Sequence, residues 1–175
     1  LDHEHIGLWK FYYENGQESM EGELVKNVKQ GYWKFYYENG SLKNIGNFKN
    51  DKKVGLWKYF HPDGSPKAEC EFNNDIGTYR EYYASKKLKS KGTIEYGKST
   101  GLWTYFYESG QIKGIGQEKD GQKDGPWKFY YDNGNIASEG NYVNNKEVGA
   151  WKYYHENGTM SAQGNMENSQ KEGYW

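Results

Sequence analysis

The chain has 175 residues, 23 basic and 24 acidic, for a net charge of −1. That size fits one domain or one repeat array, and so balanced a charge gives no field to gather nucleic acid or anionic lipid. Leu, Ile, Val and Phe are scarce, yet 7 Trp, 18 Tyr and 7 Phe are present with 23 Gly, and so many rings argue against disorder.

In chain order, residues 1–6 form an N-terminal tail. Glycines then open a repeated segment, Gly-x-Trp-Lys-x-Tyr-Tyr, at Gly7, Gly31, Gly55, Gly77, Gly101, Gly125 and Gly149, with a partial copy from Gly173. The spacing is 24 residues, except 22 from Gly55 to Gly77. Residues 7–175 therefore read as one array of seven repeats. We number each repeat from its opening glycine as position 0. Position 2 holds Trp9, Trp33, Trp57, Trp103, Trp127 and Trp151, with Tyr79 in the fourth repeat. Rings at positions 2, 4 and 6 alternate with period two, which predicts a strand. A turn follows at Gly16, Gly40, Gly64, Gly110, Gly134 and Gly158, mostly preceded by Asn. A second strand runs from position 11 to position 17, and a polar Lys/Asn/Asp turn leads to the next glycine. Each repeat is thus one β-hairpin, and nothing shows helical periodicity.

The Asn-Gly pair favours a two-residue type I′ turn. That turn pairs position 2 with 15 and position 3 with 14. Trp33 would then cover Gly46, and Lys10–Glu21, Lys58–Glu69 and Lys128–Glu139 would form cross-strand ion pairs. His61-Pro62-Asp63-Gly64 suits the alternative, a type I turn with a G1 bulge. Stacked hairpins make an all-β, elongated, open antiparallel meander of about 14 strands. It is a single twisted or curled, solenoid-like sheet advancing about 10 Å per repeat. Positions 3 and 5 lie on the face opposite Trp. There Lys10, Lys34, Lys58, Lys128 and Lys152 run beside Tyr12, Tyr36, Tyr130 and Tyr154, a row of cations and rings that is the candidate binding surface.

Gly31-Tyr32-Trp33-Lys34-Phe35-Tyr36-Tyr37-Glu38-Asn39-Gly40 carries the repeat most fully. It resembles the bacterial variant of the MORN repeat, and the resemblance extends over residues 7–175. It implies an array of β-hairpins without catalysis or cofactors. Bacterial members are often described as antitoxins or immunity-type proteins, and eukaryotic arrays scaffold protein partners and associate with membranes. The repeats are also similar to choline-binding cell-wall modules, whose shorter units fit the spacing less well. The expected function is therefore a protein-binding scaffold, of antitoxin or immunity type. The alternative is an envelope-associated module that binds glycan or lipid through its aromatic ladder.

Repeats 3 and 4 depart from the pattern. Repeat 3 has Pro66 at position 11, Cys70 at position 15 and a turn two residues shorter. Repeat 4 has Tyr79 for Trp, Glu81 for the position 4 ring and Lys86 for the turn glycine. Lys86 needs a costly left-handed conformation or another turn, so a bend or a less stable joint is expected between residues 62 and 90.

Enzyme signatures are absent. Gly114-Ile115-Gly116 lacks a third glycine and a following helix. His3 and His5 would bind metal only adventitiously, and His61 and His155 stand four repeats apart. Cys70 is the single cysteine, which excludes an internal disulfide and a cysteine zinc cage. Asn39-Gly40-Ser41 and Asn157-Gly158-Thr159 match glycosylation sequons as by-products of the turn. With 22 Lys and one Arg, Arg80, the chain lacks the bidentate donors that read nucleic acid. No apolar run reaches the roughly 18 residues of a membrane-spanning helix. The chain opens without Met and ends inside a motif. A removed leader with a periplasmic or envelope location is therefore an expectation beside a cytoplasmic one, as is a native chain that continues.

Overall fold

A computed structural model describes residues 6–175. His3 and His5 lie outside the described residues. Ile6, expected in the tail, is the first residue of a strand.

The chain divides into two compact units, the first ending at Ala84 and the second beginning at Ser85. That boundary falls within residues 62–90. The first unit holds β1 (Ile6–Tyr12), β2 (Glu18–Val25), β3 (Val28–Tyr36), β4 (Leu42–Lys49), β5 (Lys52–Phe60), β6 (Pro66–Asn73) and β7 (Ile76–Tyr82). The second holds β8 (Leu88–Glu95), β9 (Lys98–Phe106), β10 (Ile112–Lys119), β11 (Gln122–Tyr130), β12 (Ile136–Val143), β13 (Lys146–Tyr154), β14 (Met160–Glu167) and β15 (Gln170–Glu172). Within each unit every strand pairs antiparallel with its sequence neighbours alone, so each is an open meander. The described residues contain no helix. The strand beyond the expected fourteen is a three-residue stretch that leads into the partial eighth repeat at Gly173.

The expected register holds, but the favoured turn does not. Trp9 faces Gly22 and Lys10 faces Glu21, as a type I′ turn would require. Yet of the Asn15-Gly16 pair only Gly16 has positive φ, at 83°. Tyr13 N donates to Gln17 O at 2.8 Å and Gly16 N to Tyr13 O at 3.0 Å. This is the type I turn closed by a left-handed glycine. A second bulge restores the register: Phe11 pairs with Met20, Tyr12 with Glu18, and Ser19 is left over. The tight I′ turns occur between repeats instead. Asn50 and Asp51 have φ 52° and 62°, and Asn144 and Asn145 have 49° and 66°. Asn and Asp tolerate that conformation because their short polar side chains bond locally.

A further bulge forms at the opening glycine. Lys34 pairs with Glu21 and Gln30 with Glu23, so Gly31, Tyr32 and Trp33 together oppose Gly22. Gly31 has φ 64°. The bulge turns the indole back over the preceding repeat. A Cβ placed on Gly22 would lie 2.1 Å from the Trp33 ring, and one on Gly46 would lie 2.2 Å from Trp57. The expectation that Trp33 covers Gly46 is thereby corrected. The two are strand partners, but the Trp33 ring lies on Gly22 and Gly46 carries Trp57. Trp33 and Trp57 are fully buried, and Trp127 and Trp151 are 1% exposed. These four indoles are anchored by their N–H groups, as in Trp57 Nε1 to Asn47 O at 3.1 Å and Trp127 Nε1 to Gln117 O at 2.8 Å. Position 4 rings fill the gaps between indoles, with Phe35 6.1 Å from Trp33 and 6.0 Å from Trp57. Position 17 rings stand edge-on, as Phe48 does at 5.0 Å from Trp57. One sheet face is thus a packed layer of rings on glycine backbone.

The oddities of repeats 3 and 4 have one cause. β6 and β7 pair without any shift, Cys70 opposite Tyr79 and Phe72 opposite Gly77. The two missing residues abolish the bulge, so no indole folds onto position 15. A side chain larger than hydrogen then fits, and Cys70 is fully buried. Lys86 does take the left-handed conformation, with φ 64°. Lys86→Gly is therefore expected to stabilise the chain by about 1 kcal/mol, read as a higher urea midpoint with unchanged slope.

Candidate functional site

The face opposite the rings carries the candidate binding row, and its lysines are held by carboxylates. Lys34 Nζ lies 2.7 Å from Glu21 Oε1, and Lys10 Nζ lies 2.8 Å from Glu18 and 3.3 Å from Glu21. Tyr36 donates to Glu21 Oε1 at 3.0 Å. The same motif gathers Lys128 (3.1 Å) and Tyr154 (3.1 Å) on Glu139, which Lys152 faces across the strands. In repeats 3 and 4 Tyr82 donates to Glu69 at 2.6 Å, with Lys58 and Arg80 as the strand partners of Glu69. The expected ion pairs Lys10–Glu21 and Lys128–Glu139 are formed. Lys58 and Glu69 stand in register. The clusters recur only where position 14 is Glu. Ile45 and Ile115 occupy that position in repeats 2 and 5, so Tyr130 meets no such carboxylate from Ile115. Tyr12 is 60% exposed.

The Lys34 ammonium, aided by the Tyr36 hydroxyl and Lys10, holds the Glu21 carboxyl down at about 2 from the usual 4.5. Lys128 lowers Glu139 in the same way. A carboxyl depressed in the folded state adds stability above its unfolded value and loses it as the pH falls toward the folded one. Stability should therefore drop between pH 4.5 and pH 2. Glu21→Gln should flatten that drop while lowering stability at pH 7, as measured by urea unfolding across that range.

Position 1 adds apolar side chains to this face, a feature the reading of positions 3 and 5 missed. Leu8 is 72% exposed, Tyr32 50% and Leu56 43%. They alternate with Lys10, Lys34 and Lys58 along their strands. In the second unit shallow hollows open between neighbouring position 1 and position 3 side chains. One, of about 250 Å³, is lined by Pro126, Lys128, Glu139, Asn141, Ala150 and Lys152.

On the ring face the sequence reading missed a lysine two residues before the opening glycine. Lys53 Nζ lies 4.7 Å from the Trp57 ring centre, 5.3 Å from Phe72 and 5.8 Å from Tyr59. Lys123 lies 4.8 Å from Trp127, 4.7 Å from Phe129 and 5.0 Å from Tyr142. Lys29 and Lys171 take the same place over Trp33 and Trp175. Burial pushes the Lys53 and Lys123 ammonium groups down, and the ring faces offset part of that cost. These residues belong to the strand and not to the turn. The signal was the period-two alternation, which continues upstream of the glycine. Glu118 replaces the position 17 ring in repeat 5 and is buried. It accepts from Tyr105 Oη at 2.7 Å and from Ser99 Oγ.

Hydroxyls at position 6 tie successive hairpins together. Tyr13 donates to Tyr36 O at 2.7 Å, Tyr37 to Phe60 O at 2.9 Å, and Tyr107 and Tyr131 to Tyr130 O and Tyr154 O at 2.7 Å. Turn amides add to this, with Asn133 Nδ2 2.9 Å from Glu156 O. Within each unit these bonds set neighbouring turns side by side, those of Gly16 and Gly40 in the first and those of Gly110 and Gly134 in the second.

Among the described residues no three His, Cys, Asp or Glu side chains gather as metal ligands. Burial pushes the Cys70 thiol up to about 12, the inert thiol of a packed cysteine. The arrangement offers ordered surfaces for contact.

No curated protein matches the chain. Among solved structures it is similar to a TarM mutant from S. aureus in complex with Fondaparinux, alpha-GlcNAc-glycerol and UDP. The identity is 14%, covering 54% of this chain and 19% of that one, with a TM-score of 0.38. A second TarM structure gives 14% identity, 55% and 19% coverage and a TM-score of 0.39. The profile described as MORN repeat variant matches residues 6–17, 29–50, 53–74, 76–95, 99–117, 123–144 and 147–168. These segments make up well over half of the sequence, and the chain belongs to the MORN repeat variant family.

Proposed function

We propose that the chain is a binding scaffold that presents the face opposite its tryptophans to a protein partner. The family is generally non-catalytic, and its repeats serve binding or scaffold roles. The observation that supports this face is the exposed row Leu8, Tyr32 and Leu56. It is flanked by Lys10, Lys34 and Tyr36, already ordered by Glu21. Side chains immobilised before binding lose less entropy at an interface, and a mix of rings, aliphatics and paired charge is the composition of one. An antitoxin or immunity role makes that partner a toxin protein. The glycan or lipid alternative would use the ring face, where the indoles are buried and several carry an ammonium.

The experiment is co-purification with the wild-type chain and with a Leu8→Ser, Tyr32→Ser, Leu56→Ser variant, alongside a glycan array and liposome flotation. A protein retained by the first and lost by the second is the expected result. Equal retention, or no stable protein partner together with glycan or liposome binding, would overturn the reading.

A further inference from the structure

At the edge of inter-repeat turns, backbone N–H groups reach across to the next repeat. In four places an oxygen of that repeat's second turn residue accepts. Lys29 N donates to Asp51 Oδ1 at 2.9 Å and Lys53 N to Asp75 Oδ1 at 2.8 Å. Lys123 N donates to Asn145 Oδ1 at 2.7 Å and Glu147 N to Ser169 Oγ at 2.9 Å. The partner backbone bond runs the other way, as in Asp75 N to Lys53 O at 3.1 Å. In the fifth place the acceptor position is Gly121. Its N–H still bonds Ser99 O at 2.9 Å, but it has no side chain to accept from the Ser99 N–H.

Beside that donor lies a hollow of about 460 Å³ lined by Glu95, Tyr96, Lys98, Ser99, Lys119 and Asp120. Two cations balance two carboxylates there, and Lys98 Nζ lies 3.2 Å from Asp120 Oδ1. Its rim is unusual. Tyr96 stands where other repeats have Asn, Asp or Lys, holds φ at 48° and is 68% exposed. A bulky residue in the left-handed region is an outlier that local stability does not explain.

We propose that this hollow binds a carboxylate side chain of the protein partner. One carboxylate oxygen would take the Ser99 N–H as Asp51 and Asp75 take theirs, with the Lys98 ammonium beside it and the Tyr96 ring against the partner's chain. Asp fills two of the four equivalent places within the chain, with Asn and Ser in the others, and the Lys98 ammonium favours the charged oxygen among these acceptors. The proposal rests on the scaffold reading for its partner, but not for its site chemistry.

The test is titration of the ¹⁵N-labelled chain with acetate, at ionic strength held constant with chloride. The Ser99 amide is expected to shift saturably and at least threefold further than the Lys53 and Lys123 amides, whose acceptors are internal. Gly121→Asp should abolish the response and raise the melting temperature. The left-handed backbone there suits Asp, and a Cβ meets nothing within 4 Å. Gly121→Asn serves as the second variant. A Ser99 shift no larger than the other two, or one that survives both variants, overturns the site. If acetate binds as expected but the partner is retained equally by wild type and Gly121→Asp, the carboxylate is not the partner's and the proposal falls while the scaffold reading stands. If no protein partner exists, the scaffold reading fails and the assignment to a partner falls with it, whatever acetate does.

Discussion

Gly46→Ala is expected to destabilise the first unit by about 3 kcal/mol or more. The added Cβ would lie 2.2 Å from Trp57 Cδ2 and 2.3 Å from Cε2, so the ring must lift. Overpacking alone costs about 1–3 kcal/mol. Lifting the indole also strains its bond to Asn47 O and its contact with Phe48. Gly64→Ala is the control. Nothing lies within 4 Å of its Cβ, and only its φ of 84° is unfavourable, which costs about 1 kcal/mol. Urea unfolding followed by far-ultraviolet circular dichroism separates the two. Equal losses would mean that the glycine column serves backbone conformation alone.

Trp57→Ala should cost about 3–5 kcal/mol, the range for a fully buried large aromatic. The indole is 0% exposed. It touches Phe35, Phe48 and Phe72, with ring centres 6.0, 5.0 and 6.4 Å away, and lies under Lys53 at 4.7 Å. Trp9→Ala should cost less than half as much, because Trp9 is only half-buried. The measurement is the same urea midpoint. A loss below about 0.5 kcal/mol for Trp57→Ala would place the stability elsewhere, since that is the range of ordinary surface substitutions.

The repeat, its strands and the pairing of Trp9 with Gly22 were legible because the alternation of rings and the glycine column admit one register. The turn was not. Asn-Gly favours type I′ locally, and only the bulge at Ser19 shows how a type I turn reaches the same pairing. The lean of each indole was hidden for a similar reason. Strand partners follow from spacing, but the bulge at Gly31 sends Trp33 to the glycine on its other side. Cys70, Tyr79 and the shorter turn were each visible as departures. That they are one change became clear only from the unshifted pairing of β6 and β7. Lys53 and Lys123 were missed because a lysine beside an Asn-Asp or Asp-Gly turn looks like solvated turn sequence. The carboxylate hollow was beyond the sequence as well. It depends on which repeat's side chain reaches Ser99, and Gly121 looks like an ordinary turn glycine.

The indole lying on the preceding repeat's glycine is held to be the contact that joins the repeats. A double-mutant cycle of Gly46→Ala and Trp57→Ala, by urea unfolding, tests it most directly. If the clash with the ring is the whole reason Gly46 is glycine, removing the ring removes the penalty. The double variant should then lose no more than about 1 kcal/mol beyond Trp57→Ala, a coupling of about 2 kcal/mol or more. Losses that simply add would contradict it.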